Sequence, residues 1–440
     1  MSAEKPSAII FGGLNTWSRR FACHLVPKDG EPLVSHLRIV DKFSVSPPTT
    51  YGYLGSDFKE MLPNELVEYK QANLTIPATV SKMFDPSEGR APYSWVFDLS
   101  GEFRHDRSDV IQIGQTLNVA RLLGEEAARR NVKAYVRVTQ SFYETPEKGT
   151  HDEKESIKPS GIRGVWWHET LRVLANIEKY AASFEHVARG TLNLVILRPG
   201  LVYGPYVEYG IIPTTMAVGS VYGYLKKPMK ALWSPGKNPM NTVHVDDVAA
   251  AAIALAKWIE KEGRKQADIV AGEEIPPNDK SKVKVAETES QTLPDSSKKL
   301  VAPVFNLVDE SNSTLASIGT EICATFDTTF GFHDFFTTTM ARITKLAEHV
   351  IEDINEEHVG GWTEMLQASD PPINGMTPVT AYMDESTLQK ISLAFNSDKI
   401  KNVVGYQLKH PQFSKEELKA IVDRWKEEGS WPRVEPKAST

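Results

Sequence analysis

SAIIFGGLNTWSRRFACHLV, residues 7–26, is the stretch whose reading decides the fold. A short apolar run ends in two glycines and passes into a segment that reads as helix. Strand, glycine turn and helix in that order open a βαβ unit. The same alternation continues outward along the chain. AIIF (8–11), LRIV (37–40), TVSKMF (79–84), SWVFDL (94–99), AYVRVT (134–139), LNLVIL (192–197) and VFNLV (304–308) read as buried strands. Amphipathic helical patterns at 110–130 and 168–184 lie between them. Strands that alternate with helices imply a parallel sheet covered on both faces. Right-handed crossovers then make an α/β, Rossmann-type doubly wound sheet.

The glycine turn has two readings. In a dinucleotide-binding turn one glycine makes the tight turn, one lets the backbone approach the pyrophosphate, and one lets helix pack on strand. Gly12 and Gly13 are present, but the next two glycine positions fall on Asn15 and Ser18. Asn tolerates a left-handed backbone better than most residues, and Ser is a small replacement for a packing glycine. Backbone amides from Asn15, Thr16 and Trp17 at the helix start can still face a diphosphate. The plainer reading is an ordinary turn. Asp41, at the tip of the second strand in RIVDK, either accepts hydrogen bonds from a ribose diol or caps a turn. Lys42 beside it leaves room for NADP as well as NAD.

Bulk properties narrow the function classes. The 440 residues carry a net charge of −7, with 24% charged and 41% hydrophobic residues. This balance is that of an ordinary globular protein, and no basic field exists to hold nucleic acid or an anionic membrane. No apolar run is long enough to span a bilayer, and the N-terminus lacks a secretory h-region. Two cysteines, Cys23 and Cys323, cannot build a disulfide framework or a zinc site. A reducing, cytoplasmic setting is expected, with no metal. Residues from about 261 to 300 are rich in Lys, Glu, Asp, Pro, Ser and Gln and contain no aromatic. Such a composition is expected to stay flexible, so that its removal should leave the fold intact.

Several later stretches resemble the extended short-chain dehydrogenase/reductases, the NAD-dependent epimerase/dehydratase family that acts largely on nucleotide sugars. LRPGLVYGP (197–205) is similar to that family's RPxxVYGP segment, and NTVHVDDVAAAA (241–252) resembles its HVDDVA helix start. VKAYVRVTQSFYE (132–144), VFNLVDESNSTLASI (304–318) and LAFNSDKIKNVVGYQLKHP (393–411) resemble its fifth strand, its returning strand and helix, and a late motif. The resemblance implies a dinucleotide-binding domain over 1–204, completed by 241–262 and 301–310. It implies a mostly helical substrate cap over 205–240 and 311–433, with 263–300 as a flexible insertion. It also implies NAD, or NADP, lying against Leu99, Ser100, Pro199 and Val202, and a small-molecule substrate such as a nucleotide sugar. A homodimer is compatible with it.

The departure comes at the chemistry. The family moves a proton with the tyrosine of a YxxxK pair, helped by a Ser or Thr at the end of the fifth strand. Here the helix reads GVWWHETLRVLANIEKY (164–180), and the best-aligned pair is His168 and Arg172. Residues four apart share a helix face, imidazole titrates near neutrality, and Arg can hydrogen-bond a ribose. Thr139 supplies the hydroxyl, although Gln140 could occupy that place. Tyr143 could donate a proton into the cleft or merely line it. Glu102, after the fourth strand, is either a functional carboxylate at the sheet edge or a helix start. Within HVDDVA, Asp246 or Asp247 is expected to cap a helix and His244 to be a core residue. Two function classes stay open: an NAD(P)-dependent epimerase, dehydratase or reductase with a non-standard acid/base pair, or an inactive cofactor-binding relative serving as regulator or scaffold.

Overall fold

The computed structural model describes residues 4–14, 17–48, 54–155, 157–177, 192–278, 293–334, 338–339, 344–375 and 377–437. Asn15, Thr16, much of the segment read as a flexible insertion, and the end of the 168–184 helical pattern lie outside them.

The chain begins with β1 (Ser7–Phe11), α1 (Ser18–Leu25), β2 (His36–Asp41), α2 (Ser56–Met61), β3 (Val67–Gln71), α3 (Pro77–Phe84) and β4 (Trp95–Asp98). There follow α4 (Asp109–Gln112), a π-helical turn at Ile113–Leu117, α5 (Asn118–Arg129), β5 (Ala134–Val138), the short pair β6 (Tyr143–Glu144) and β7 (Lys158–Pro159), and α6 (Gly161–Asn176). Next come β8 (Leu194–Pro199), β9 (Leu201–Tyr203), α7 (Ile211–Leu225), β10 (Met229–Ala231), β11 (Thr242–His244), α8 (Val245–Ala271), β12 (Gly272–Glu274) and β13 (Val301–Leu307). The main sheet has eight strands in the order β12-β13-β8-β5-β4-β1-β2-β3. Every pairing in it is parallel except β12 against β13.

Alternate side chains of the central strands feed two cores, as the period of two requires. Ala8, Ile10, Leu37 and Ile39 face α1 and α8, while Ile9, Phe11, Val40 and Val96 face α3, α5 and α6. A third core holds the cap: Ile212, Met216 and Val221 of α7 pack with Ile318, Trp362, Trp425 and Trp431. Ile400, in the C-terminal helix Asp398–Val404, instead joins the core beside α8.

Three expectations change. TVSKMF is not a strand but the body of α3: Pro77 opens the helix, and Val80 and Phe84, four apart, are its buried face. The real strand is VEYKQ of β3, a sheet edge that leaves Lys70 and Gln71 exposed and therefore lacks a continuous apolar run.

The third change concerns the residues read as a flexible insertion. Helix α8 continues to Ala271, burying Arg264, Ala267 and Ala271, and β12 adds a strand to the sheet. Ile275 and Leu300 are part of the core under α5 and α6, and Leu293 packs against Ile113, Leu117, Trp166 and Val173. Composition understated this segment because few apolar residues suffice when they meet an existing apolar face. Burying one Ile or Leu is worth about 1.5–3 kcal/mol.

Candidate active site

Gly12 and Gly13 turn the chain tightly at the end of β1. Gly12 has φ +75°, and a Cβ there would lie 2.9 Å from the carbonyl group of Leu99. A Cβ on Gly13 would lie 2.2 Å from Cγ2 of Ile39. Both positions therefore need glycine, the first for conformation and approach, the second for packing. Ser18, at the packing-glycine position, is fully buried and its hydroxyl donates to the Gly12 carbonyl. Asp41 holds the turn from the other side. Its Oδ2 accepts the Leu14 amide at 2.9 Å and its Oδ1 accepts the Phe43 amide at 3.1 Å. Burial raises its carboxyl above the ordinary range, while these amides pull it back.

Around this turn opens a cavity of about 970 Å³ at the C-terminal edge of β1, β2 and β4, the edge where ligands bind in such sheets. Gly12, Leu14, Asp41, Lys42, Phe43, Leu74, Leu99, Ser100 and Glu102 line it. Trp17 does not: its side chain is buried in the core with Phe21 and Leu25. Pro199 and Val202 also fall outside the lining residues. Pro199 ends β8 in register with Leu307, and Val202 is a core residue.

A second cavity of about 790 Å³ adjoins the first, sharing Phe103, Arg104, Glu208, Tyr209 and Thr380. Ser141, Tyr143, Glu144, Arg163 and Leu201 complete its inner wall, and Tyr382 and Asp384 of the cap close it. Thr139 is not in it. That residue is buried between β5 and β8, its amide donating to Leu197 and its hydroxyl to the Gln140 carbonyl at 3.3 Å. The lining hydroxyl is Ser141, which donates to the Gly200 carbonyl. Ser141 lies three residues beyond the end of β5, where the chain has left the sheet and can reach the cavity.

His168 and Arg172 do lie on one face of α6, but they do not line either cavity. Arg172 donates to the carbonyls of Ile275 (2.8 Å) and Asp295 (3.3 Å), and lies 3.3 Å from the Glu169 carboxylate. It is a buried clamp, not an exposed helix surface. His168 is 6% exposed, with Nε2 2.8 Å from the Pro276 carbonyl and Nδ1 3.3 Å from the Tyr143 hydroxyl. A carbonyl only accepts, so Nε2 carries the proton and Nδ1 accepts from Tyr143. Burial lowers His168 to about 4, helped by Arg198 and Arg172, so the ring is neutral at pH 7. Burial raises the Tyr143 phenol to about 12, and the Arg198 charge opposes that rise.

Tyr143 is thus the member of this group that reaches a cavity. The residues the sequence reading missed are Ser141 and Arg198. The Arg198 guanidinium lies 5.7 Å from the Tyr143 ring centre and 5.5 Å from that of Phe395. Its Nε donates to Asn306 Oδ1 at 2.9 Å, while its buried Nη2 has no partner. It sits inside LRPGLVYGP, where the resemblance drew attention to the backbone alone. Arg19 is a further addition, paired through Nη2 with Glu208 at the wall between the two cavities.

HVDDVA behaves differently from expectation. His244, buried, is itself the N-cap of α8, accepting the Asp246 amide at 3.2 Å. Asp246 pairs with Arg20 and His24, and Asp247 accepts from Tyr406 and the amides of Lys409 and His410. Among the described residues, one group of donor atoms, on His244, His410 and Glu417, lies within 4.8 Å of one another. Two of the three are already bonded to each other, His410 Nδ1 to Glu417 at 2.9 Å.

Comparison with known proteins places these features. Residues 56–272 match the model of the NAD dependent epimerase/dehydratase family. That stretch, just under half of the chain, carries the family's pattern. The match begins after the first turn and β2, the part in which Asn15 and Ser18 depart from the glycine pattern. Solved structures share the fold over nearly the whole length. The enzyme WbmG of Bordetella bronchiseptica, in complex with NAD, is 12% identical with a TM-score of 0.55, covering 98% of this chain and 97% of that one. The UDP-glucose 4-epimerase of Thermotoga maritima, with UDP-glucose, is 13% identical with a TM-score of 0.54, covering 96% and 99%. The UDP-glucuronic acid 4-epimerase of Bacillus cereus, with UDP-glucuronic acid and NAD, is 13% identical with a TM-score of 0.55, covering 96% and 99%. A comparison with curated proteins returns no match. Among the described residues no helix is long and apolar enough to cross a membrane.

Proposed function

We propose that this protein is an NAD-dependent epimerase or dehydratase acting on a nucleotide sugar or a similar alcohol or carbonyl compound, with Tyr143 and His168 as its proton-handling pair. The observation that carries the reading is Tyr143, a lining residue of the second cavity whose hydroxyl donates to His168 Nδ1. The NAD-binding and UDP-sugar-binding relatives with the same fold support the cofactor and substrate class.

The residues present fit a dinucleotide. The Gly12–Gly13 turn, Asp41 and the Leu99–Ser100 backbone surround one continuous cavity at the start of α1, and a helix N-terminus suits a diphosphate. Asp41 beside the ribose position favours NAD over NADP, because a 2′-phosphate would face a carboxylate. Bound NAD supplies a hydride acceptor at the substrate carbon. The chain's own part is the proton. Tyr143 Oη accepts the proton of a substrate hydroxyl as its own proton passes to His168 Nδ1. The Pro276 carbonyl stabilises the imidazolium, and Arg198 stabilises negative charge on the phenol oxygen. Arg198 then fills the electrostatic role that the family gives its lysine. Arg172, the aligned residue, is committed to Ile275, Asp295 and Glu169 and does not take part.

Calorimetric titration with NAD and NADP, followed by incubation with UDP-sugars and detection of the epimer or 4-keto product, tests the proposal. Micromolar NAD binding and product loss in Tyr143→Phe are expected. Absence of NAD binding at millimolar concentration would sink it.

A further inference from the structure

Four residues of α6 spaced one helical face apart, Val165, His168, Glu169 and Arg172, all hold the same short segment of chain. That segment is the arm Gly272–Asn278, which leaves β12 and runs along the helix. Arg172 takes the Ile275 carbonyl at 2.8 Å and His168 takes the Pro276 carbonyl at 2.8 Å. The Asn278 side-chain amide donates to Val165 O at 3.1 Å and to Glu169 Oε1 at 3.0 Å, and its backbone amide adds a bond to Glu169 at 3.2 Å. Arg172 also reaches Asp295 O on the returning strand side, so both ends of this part of the chain are tied to one guanidinium.

The chemistry of the middle bond is directional. An imidazole has one proton to place when neutral, and which nitrogen holds it is set by the partner of the other. Pro276 offers an acceptor to Nε2, which leaves Nδ1 with the lone pair that faces Tyr143 Oη at 3.3 Å. Without that carbonyl the ring is free to carry its proton on Nδ1, which cannot accept from the phenol.

We propose that the arm 272–278 is a positioning element for the Tyr143–His168 pair: the Pro276 carbonyl fixes the Nε2–H tautomer of His168, and Asn278 and Arg172 hold that carbonyl in place. The proposal rests on the reading of Tyr143 and His168 as the proton-handling pair, and Pro276 acts through His168 without touching substrate. The groups facing His168 are Tyr143 of β6, Arg198 of β8 and Arg172 of its own helix.

The test is a two-bond proton–nitrogen correlation spectrum of the full-length protein labelled with 15N-histidine, with His168 assigned by its loss in His168→Gln. In the unaltered protein His168 should show one neutral tautomer, protonated at Nε2, from pH 8 down to pH 5. In Asn278→Ala, which removes two side-chain bonds, and in Arg172→Lys, which loosens the clamp, a mixture of tautomers should appear. Should Arg172→Lys fail to fold, Asn278→Ala, which removes no charge, carries the test alone. An Nδ1–H signal in the unaltered protein, or a single Nε2–H tautomer that persists in Asn278→Ala, would overturn the proposal. The spectrum needs neither substrate nor NAD. Turnover by Tyr143→Phe equal to that of the unaltered enzyme would sink the proton-handling reading separately, whatever the spectrum shows.

Discussion

The glycine turn of β1 and the helix α6 both depart from the family pattern in sequence, and the structure treats the two departures in opposite ways. At the turn, substitutions preserve the backbone. Ser18 replaces a glycine yet ties its hydroxyl to the Gly12 carbonyl, and Asp41 pins Leu14 and Phe43, so the cavity survives. On α6 the substitutions change what the helix does. His168 and Arg172 face the arm 272–278 instead of a cavity, and Tyr143 stands between His168 and the second cavity. A small hydroxyl can replace a glycine by local bonding alone. A buried charge such as Arg172 needs partners from elsewhere in the chain, and the arm provides them.

The comparison breaks most visibly at Tyr143. Tyr143→Phe should lower turnover by about 10²- to 10⁴-fold while the melting curve shifts by no more than the loss of one hydrogen bond, about 1 kcal/mol. Steady-state rates beside a thermal melt check this. Unchanged rates would return α6 to a purely structural role.

Next in size is Arg172→Met. It leaves the Ile275 and Asp295 carbonyls without a donor and Glu169 without its cation, a change worth about 3–5 kcal/mol of stability. Urea unfolding measures it. NAD affinity of the folded fraction should be unchanged, because Arg172 does not line the first cavity. On the same grounds, deleting 265–298 should abolish or severely weaken folding, contrary to what composition alone suggested.

A third prediction concerns pH. The ordinary histidine value is 6.5, and His168 is held at about 4 in the folded protein. The unfolded chain therefore binds a proton that the native state refuses. The stability associated with neutral His168 is fully present above about pH 6.5 and is lost as pH falls toward 4, about 3 kcal/mol in all. His244 and His358, also lowered by burial, act in the same direction. Urea midpoints between pH 4 and 7 should depend less on pH in His168→Gln. An identical dependence would mean that His168 is protonated in the native state.

The smallest effect belongs to the turn. Gly13→Ala places a methyl against Ile39 and should cost about 1–3 kcal/mol, with a matching loss of NAD affinity. If NAD binds that variant as well as before, the turn shapes the sheet and not the cofactor site.

Much of this was legible in the chain. Strongly apolar central strands announce themselves because both faces are buried, which is why β1, β2, β4, β5, β8 and β13 were found within one to three residues at each end. The edge strand β3 was not, since one side of it meets water. Gly12, Gly13 and Asp41 were legible as a turn and an acid at neighbouring strand ends. The catalytic assignment was only half legible. His168 and Tyr143 could each be named, but their 3.3 Å contact joins residues 25 positions apart across a loop and a β-pair.

The sequence by itself determined the layered sheet and the place of the glycine turn, because these depend on local periodicity and on glycine's freedom near the strand ends. Only the tertiary structure decided which polar side chains reach a cavity. Thr139 and Ser141 share the same chemistry two residues apart, yet one is sealed between strands and the other lines the second cavity. His168 owes its neutral state to burial, and on the reading proposed above its tautomer to Pro276, 108 residues away. Burial and hydrogen-bond partners set protonation, and both are properties of distant segments brought together.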